Sequence, residues 1–291
     1  MLTKQLKWVL LVSLALIWGS SFILMKKGLL GLNPFQIGAL RIIFTALFVL
    51  VIGFKTLLQI NKNQWKYIAL TSLFGTFIPA FLFPLAETKV SSSVCSILNS
   101  LTPLNTFIIG IIAFKVVFKK GQFIGVLIGL MGTAILIFSG TQSGSNANYY
   151  YSVLVLIASV CYAINVNLIK KYLYNVKPLC ITTGNFLVLL VPAILVLFCS
   201  DFTTRIQFQA TQTAILYIVI LGIVGTGIAN IIFFKLIQIS TPVFATSVTY
   251  LIPVVAFFWG MLDNETLTPM QLLGAFVILI GVYVSGKKAV R

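Results

Sequence analysis

The chain has 291 residues, of which 59% are hydrophobic and 8% charged, with a formal net charge of +16. A soluble domain of this size carries about a quarter charged residues, so a water-soluble globule is excluded. Histidine is absent and the only acids are Glu87, Asp201, Asp263 and Glu265, which excludes His-based catalysis and His-ligated metal sites and leaves few carboxylates for acid–base work. Runs of about 20 mostly apolar residues, the length that crosses a bilayer as a helix, lie near 8–26, 34–54, 66–85, 92–114, 121–139, 150–169, 178–199, 214–235, 243–262 and 270–286. The expected fold class is therefore all-α, a polytopic membrane protein of ten transmembrane helices. Strand-like dyad alternation is not seen. The first run follows Lys4 and Lys7 but has no clear small-residue cleavage site, so it reads as a retained helix, not a signal peptide.

The basic residues fix the expected orientation. One set of loops holds Lys4 and Lys7, then Lys55, Lys62 and Lys66, Lys115, Lys119 and Lys120, Lys170, Lys171 and Lys177, Lys235, and finally Lys287, Lys288 and Arg291; the opposite set holds only Lys26, Lys27, Lys89 and Arg205. Both termini are expected in the cytoplasm, which also demands an even number of helices. The dispersed charges form no basic stripe, so no nucleic-acid partner is expected. Cys95, Cys161, Cys180 and Cys199 lie in apolar stretches without metal-binding spacing and read as small core residues.

The chain repeats itself. At an offset of 150, Gly75 and Thr76 match Gly225 and Thr226, Phe83 matches Phe233, and Leu101 and Pro103 match Leu251 and Pro253. At an offset of 144, Lys26 and Lys27 match Lys170 and Lys171, and Pro34 matches Pro178; at 149, Gln122, Gly125 and Gly132 match Gln271, Gly274 and Gly281. Two units result, 1–140 and 150–291. Each has five helices, an odd number, so the second enters the membrane from the opposite side. Inverted repeats of this kind are a transporter architecture.

LIWGSSFILMKKGL in the first helix, NPFQIGALRIIFTALFVL in the second, LNSLTPLNTF in the fourth, VTYLIPVVAFFWG in the ninth and the following ETLTPMQLLGAFVILIGVYV together resemble the ten-helix, EamA-type branch of the drug/metabolite transporter superfamily. The resemblance covers essentially the whole chain, and its motifs specify the fold better than the substrate. It implies metabolite export, with amino acids or related compounds first. The first half departs from the second in having Lys115 where Glu265 stands, and neither the first helix nor its repeat mate carries the acid that related small multidrug resistance proteins use for proton coupling.

Polar groups in hydrocarbon are costly unless paired or wet, so their positions point to the site. Trp18 and Ser21 share a face of the first helix, and their repeat mates are Tyr162 and Asn165. The fourth helix contributes Ser96 and Asn99, the ninth Thr249 and Tyr250, the third Thr76, and the eighth Thr226 and Asn230. These are the candidate substrate-binding residues of a midplane cavity suited to a small amphipathic solute; helix-to-helix hydrogen bonding is the competing reading for the Ser and Thr residues. Arg41, about 10 Å along the second helix from Pro34, reads either as a counter-charge for a substrate carboxylate or as a structural group bonded to helix-end carbonyls or to Glu87. Pro103 and Pro253 are candidate hinges. Gly121, Gly125 and Gly129 read as an internal packing stripe, with a homodimer contact as the alternative; a monomer is favoured.

The expected function is secondary transport by alternating access of a small metabolite across a bacterial cytoplasmic (inner) membrane, export favoured. No cofactor or metal is called for, no GxxxxGK[ST] motif is present, and the expected partners are a small-molecule substrate and the lipid bilayer. The alternatives are an importer or exchanger of a nucleotide-like metabolite and, from other classes, a channel or a polytopic membrane enzyme. The enzyme lacks the His or spanning acids its chemistry needs.

Overall fold

The computed structural model describes residues 2–90, 92–117, 120–138, 149–262 and 269–286. All of its regular structure is helical. Among the described residues ten main helical segments follow one another: α1 (Leu2–Gly28), α2 (Pro34–Gly53, continued by a 3-10 turn Phe54–Gln59), α3 (Lys62–Glu87), α4 (Ser92–Asn99 and Thr102–Ile112), α5 (Lys120–Phe138), α6 (Tyr149–Tyr172), α7 (Pro178–Phe198), α8 (Gln209–Ile239), α9 (Pro242–Thr246 and Val248–Leu262) and α10 (Pro269–Gly286), with a single helical turn, Phe202–Arg205, between α7 and α8. Six of the described helices are long and apolar enough to cross a membrane, and α4, α5, α9 and α10 contain shorter apolar stretches.

The local signals are of the ordinary kind. Asn33 accepts from the Gln36 backbone N–H at 2.9 Å while Gln36 Oε1 accepts from the Asn33 N–H at 2.9 Å, a reciprocal cap with Pro34 at the first helical position. Asn61 and Gln64 repeat that cap at the start of α3. The outward faces are apolar: Leu16, Val51, Val191 and Phe276 all expose more than half their area. Inside, Thr45, Thr106, Asn167, Thr183 and Ser247 are fully buried. An apolar exterior around a polar interior is the inverse of a soluble domain and suits hydrocarbon solvent.

The packing partners reveal the symmetry. α5 packs on α10 and α2 on α7, each helix against its own repeat mate. The remaining contacts come in exchanged pairs: α1 with α9 and α6 with α4, then α1 with α8 and α6 with α3. Exchange of the halves maps this set onto itself, as a twofold axis requires. With five helices per half, the axis lies in the membrane plane and the repeats are inverted. The glycine stripe of α5 serves this packing. A Cβ on Gly125 would fall 2.5 Å from the Ser285 backbone nitrogen, one on Gly132 2.6 Å from that of Ile278, and one on Gly129 2.6 Å from the Tyr250 ring, whereas Gly121 faces open space.

Two irregularities were not legible beforehand. α3 and α8 each contain a π-helical turn, at Leu73–Phe77 and Ile223–Ile228, symmetric at the offset of 150. Such turns widen a helix by one residue and are frequent at functional sites. The breaks of α4 and α9 also differ from a pair of symmetric kinks at the prolines. In α4 the interruption falls at Ser100–Leu101, just before Pro103; in α9 it falls at Ser247, and Pro253 lies within a continuing helix. Pro103 cannot bond the carbonyl of Asn99, and the Thr102 hydroxyl takes that carbonyl at 2.6 Å.

Candidate functional site

A cavity of about 100 Å³ lies where the two halves meet. α1 supplies Trp18, Ser21, Phe22 and Met25; α2 supplies Arg41; α3 supplies Gly75, Thr76, Ala80 and Phe83; α4 supplies Asn99 and Thr102. The second half adds Tyr162 and Asn165 from α6, Leu221, Thr226, Asn230 and Phe233 from α8, and Thr246, Thr249 and Ile252 from α9.

The π-turns organise this wall. Trp18 donates its indole N–H to the Gly225 carbonyl at 3.0 Å, and a Cβ on Gly225 would lie 2.9 Å from the Ser21 hydroxyl, so α1 docks on the turn of α8. In the mated contact α6 docks on the turn of α3, where a Cβ on Gly75 would lie 2.5 Å from the Asn165 amide. Glycine lets the neighbouring helix approach closely at both places, and the contact is the tighter one at Gly75. Aromatic pairs obey the same symmetry: Trp18 meets Phe233 with ring centres 5.0 Å apart, and their mates Tyr162 and Phe83 lie 6.0 Å apart.

Polar capacity is left over. Asn165 Oδ1 is buried without a hydrogen-bond partner, a condition that costs about 1–3 kcal/mol unless water or a ligand fills it. Arg41 donates through Nε to the Thr226 hydroxyl at 2.6 Å, and Thr226 in turn donates to the Leu221 carbonyl at 3.0 Å. That places the guanidinium on the cavity wall beside Tyr162. Neither structural alternative for Arg41 is seen among the described residues: it bonds no helix-end carbonyl, and Glu87 has Lys26 and Ser92, not Arg41, as its polar neighbours. At the mated position the second half has Asn185, fully buried against Thr71 at 3.0 Å. Among the described residues the cavity wall thus carries a single charged side chain, contributed by one half only.

Of the residues expected at the site, Trp18, Ser21, Thr76, Asn99, Tyr162, Asn165, Thr226, Asn230 and Thr249 line this one cavity, together with Arg41. Ser96 and Tyr250 do not. Ser96 is buried outside the lining. Tyr250 is fully buried, its hydroxyl donating to the Val126 carbonyl at 3.1 Å and its ring lying on Gly129. The break at Ser247 turns the helix so that Thr246 and Thr249 face the cavity and Tyr250 faces α5. Tyr250→Phe is accordingly expected to lower Tm by about 2 °C, the loss of roughly 1 kcal/mol of hydrogen bonding, with transport kinetics unchanged; a KM shift would return Tyr250 to the site. Residues missed in the sequence are mostly apolar, Phe22, Met25, Ala80, Phe83, Leu221, Phe233 and Ile252, and the Phe83–Phe233 match was their one available signal. Cys199, expected in the core, is exposed at the end of α7, whereas Cys95, Cys161 and Cys180 are buried.

Comparison with known proteins gives a consistent result. The model of the EamA-like transporter family matches twice, over residues 6–138 and 150–286. An uncharacterized transporter of Archaeoglobus fulgidus is 26% identical over 284 residues, covering 97% of this chain and 99% of its own. The uncharacterized inner membrane transporter YedA of Escherichia coli is 26% identical over 278 residues, 94% of this chain and 88% of its own. A probable amino-acid metabolite efflux pump of Salmonella typhimurium is 25% identical over 277 residues, 92% and 91% of the two chains. A solved crystal structure superposes with a TM-score of 0.73 at 16% identity, covering 95% of this chain and 94% of its own, a likeness in fold alone.

Proposed function

The chain belongs to the EamA-like transporter family, and from that premise we propose that it carries a small amphipathic solute bearing a carboxylate, an amino acid or a related metabolite, by alternating access. The supporting observation is the cavity itself: paired aromatics on symmetric walls, amide and hydroxyl groups between them, and the Arg41 guanidinium. Aromatic faces shelter an apolar moiety, the amides orient an ammonium or carbonyl, and the guanidinium complements the anionic group. Such a mostly apolar pocket with a few convergent polar groups is the usual form of a small-molecule site. Binding at the interface of two inverted halves lets each half rock against the other and open the cavity to one side at a time. The excess of Lys on one set of loops supports cytoplasmic termini in a bacterial inner membrane. Export is the favoured direction, in line with the Salmonella relative, a probable amino-acid metabolite efflux pump.

Uptake into proteoliposomes across a panel of amino acids and metabolites, with and without a pH gradient, tests this reading. Saturable flux with counterflow is expected for a carboxylate-bearing amphipathic solute. Flux that rises linearly without counterflow would identify a channel and remove the carrier mechanism.

A further inference from the structure

We propose that Lys170 and its repeat mate Lys26 are alternate gate latches, each closing the face on which it sits in turn. The inference rests on the alternating-access reading. Lys170 lies in the last turn of α6, and its ammonium donates to the carbonyls of Ile237 at 3.0 Å, Gln238 at 3.2 Å and Ser240 at 2.6 Å. A lysine has three N–H donors, and all three are spent on the end of α8. Those carbonyls have no partner within the helix and form the negative pole of its dipole. α6 is thereby clasped to α8 at that face.

The repeat offsets of 144 and 150 map this clasp onto Lys26 and the carbonyls of Glu87, Thr88 and Val90 at the end of α3. There it is open. Lys26 is exposed and makes no hydrogen bond with the described residues. The cavity is lopsided in the same sense. Phe22, Met25 and Leu221 line it, whereas their mates Val166, Ile169 and Thr71 do not; in the opposite sense only Thr246 lines it without its mate Ser96. The space therefore reaches further toward the Lys26 face than toward the Lys170 face. Unequal hydrogen bonding and unequal cavity lining select the same state independently. In an inverted repeat the halves exchange conformations between end states, so the other state clasps Lys26 and releases Lys170.

The two latches are not chemically equal. Glu87 stands where its mate is Ile237. Its carboxyl group is buried beside Ser92, with Lys26 as its cationic neighbour. Closing the Lys26 face brings an ammonium to a carboxylate, so that latch gains an ion pair which the backbone-only clasp of Lys170 lacks.

Single cysteines at Met25 and Ile169, each in a cysteine-free background, report the two faces through their labelling rates with a water-soluble maleimide. In the otherwise wild-type protein Met25→Cys is expected to label faster than Ile169→Cys. Lys170→Ala removes three charge-assisted bonds and is expected to raise Ile169→Cys labelling roughly tenfold while lowering that of Met25→Cys. Adding Lys26→Ala to Lys170→Ala is expected to bring both rates back toward their starting values. Lys170→Met, which keeps the aliphatic stem, carries the same test if the alanine variant is poorly folded. Unchanged rates in the Lys170 variants, or rates that rise together, overturn the latch and leave transport untouched. Equal rates at both faces before any lysine is changed overturn the alternating-access reading and the latch with it. No substrate is needed, so a failed uptake panel does not decide the outcome.

Discussion

Arg41→Gln is expected to raise the KM for carboxylate-bearing solutes by roughly ten- to a hundredfold and to affect neutral solutes far less. The magnitude follows from the loss of a charge-assisted, two-pronged hydrogen bond, about 1.5–3 kcal/mol. Glutamine retains an amide that can still donate to the Thr226 hydroxyl, so the link between α2 and α8 survives in part. Arg41→Lys keeps the charge but loses the planar fork and is expected to fall between the two. Selectivity in the loss is the deciding readout. A guanidinium acting only as a strut between α2 and α8 would lower the yield and melting temperature of both variants and slow all substrates alike. Thr226→Val separates the functions further: it removes the hydroxyl that accepts from Nε while leaving the charge in place, and a modest KM change is expected.

Much of this site could be read from the sequence, and the reasons are specific. The spans are legible because hydrocarbon imposes length and apolarity on every helix, so each could be counted without knowing its neighbours. The symmetric pairs Trp18 with Tyr162 and Ser21 with Asn165 were legible because duplication placed them at one offset. Tyr250 shows the limit. It is adjacent to Thr249, and only a break at Ser247, which no residue type announces, decides which of the two meets the cavity. The π-turns were hidden for a related reason: one inserted residue shifts a helical face by about 100° but leaves hydropathy unchanged. Their sole trace was the repeated Gly-Thr pair. The apolar lining was hidden because Phe83 or Leu221 looks the same in sequence whether it faces lipid, core or cavity. The partner of Arg41 lay 185 residues away, beyond any local pattern.

The π-turns yield the second large effect. Gly75→Val is expected to slow transport roughly ten- to a hundredfold in protein that still folds, while Gly225→Ala is expected to cost about twofold. A Cβ at residue 75 falls 2.5 Å from the Asn165 amide, which is itself almost wholly buried. Asn165 must then move into the cavity or α6 must retreat from α3. Overpacking of this kind costs about 1–3 kcal/mol, within the stability of an ordinary fold. When the cost must be met again as α3 and α6 shift during each turnover, it appears in the rate, tenfold for every 1.36 kcal/mol. At residue 225 the obstacle is the Ser21 hydroxyl at 2.9 Å, the end of a short side chain that already donates to the Ile17 carbonyl and can rotate aside. The asymmetry between mated glycines separates a packing effect on the substrate wall from general damage to the helix. Equal losses in the two variants, or wild-type kinetics in Gly75→Val, would show that α6 does not bear on the turn of α3 during transport.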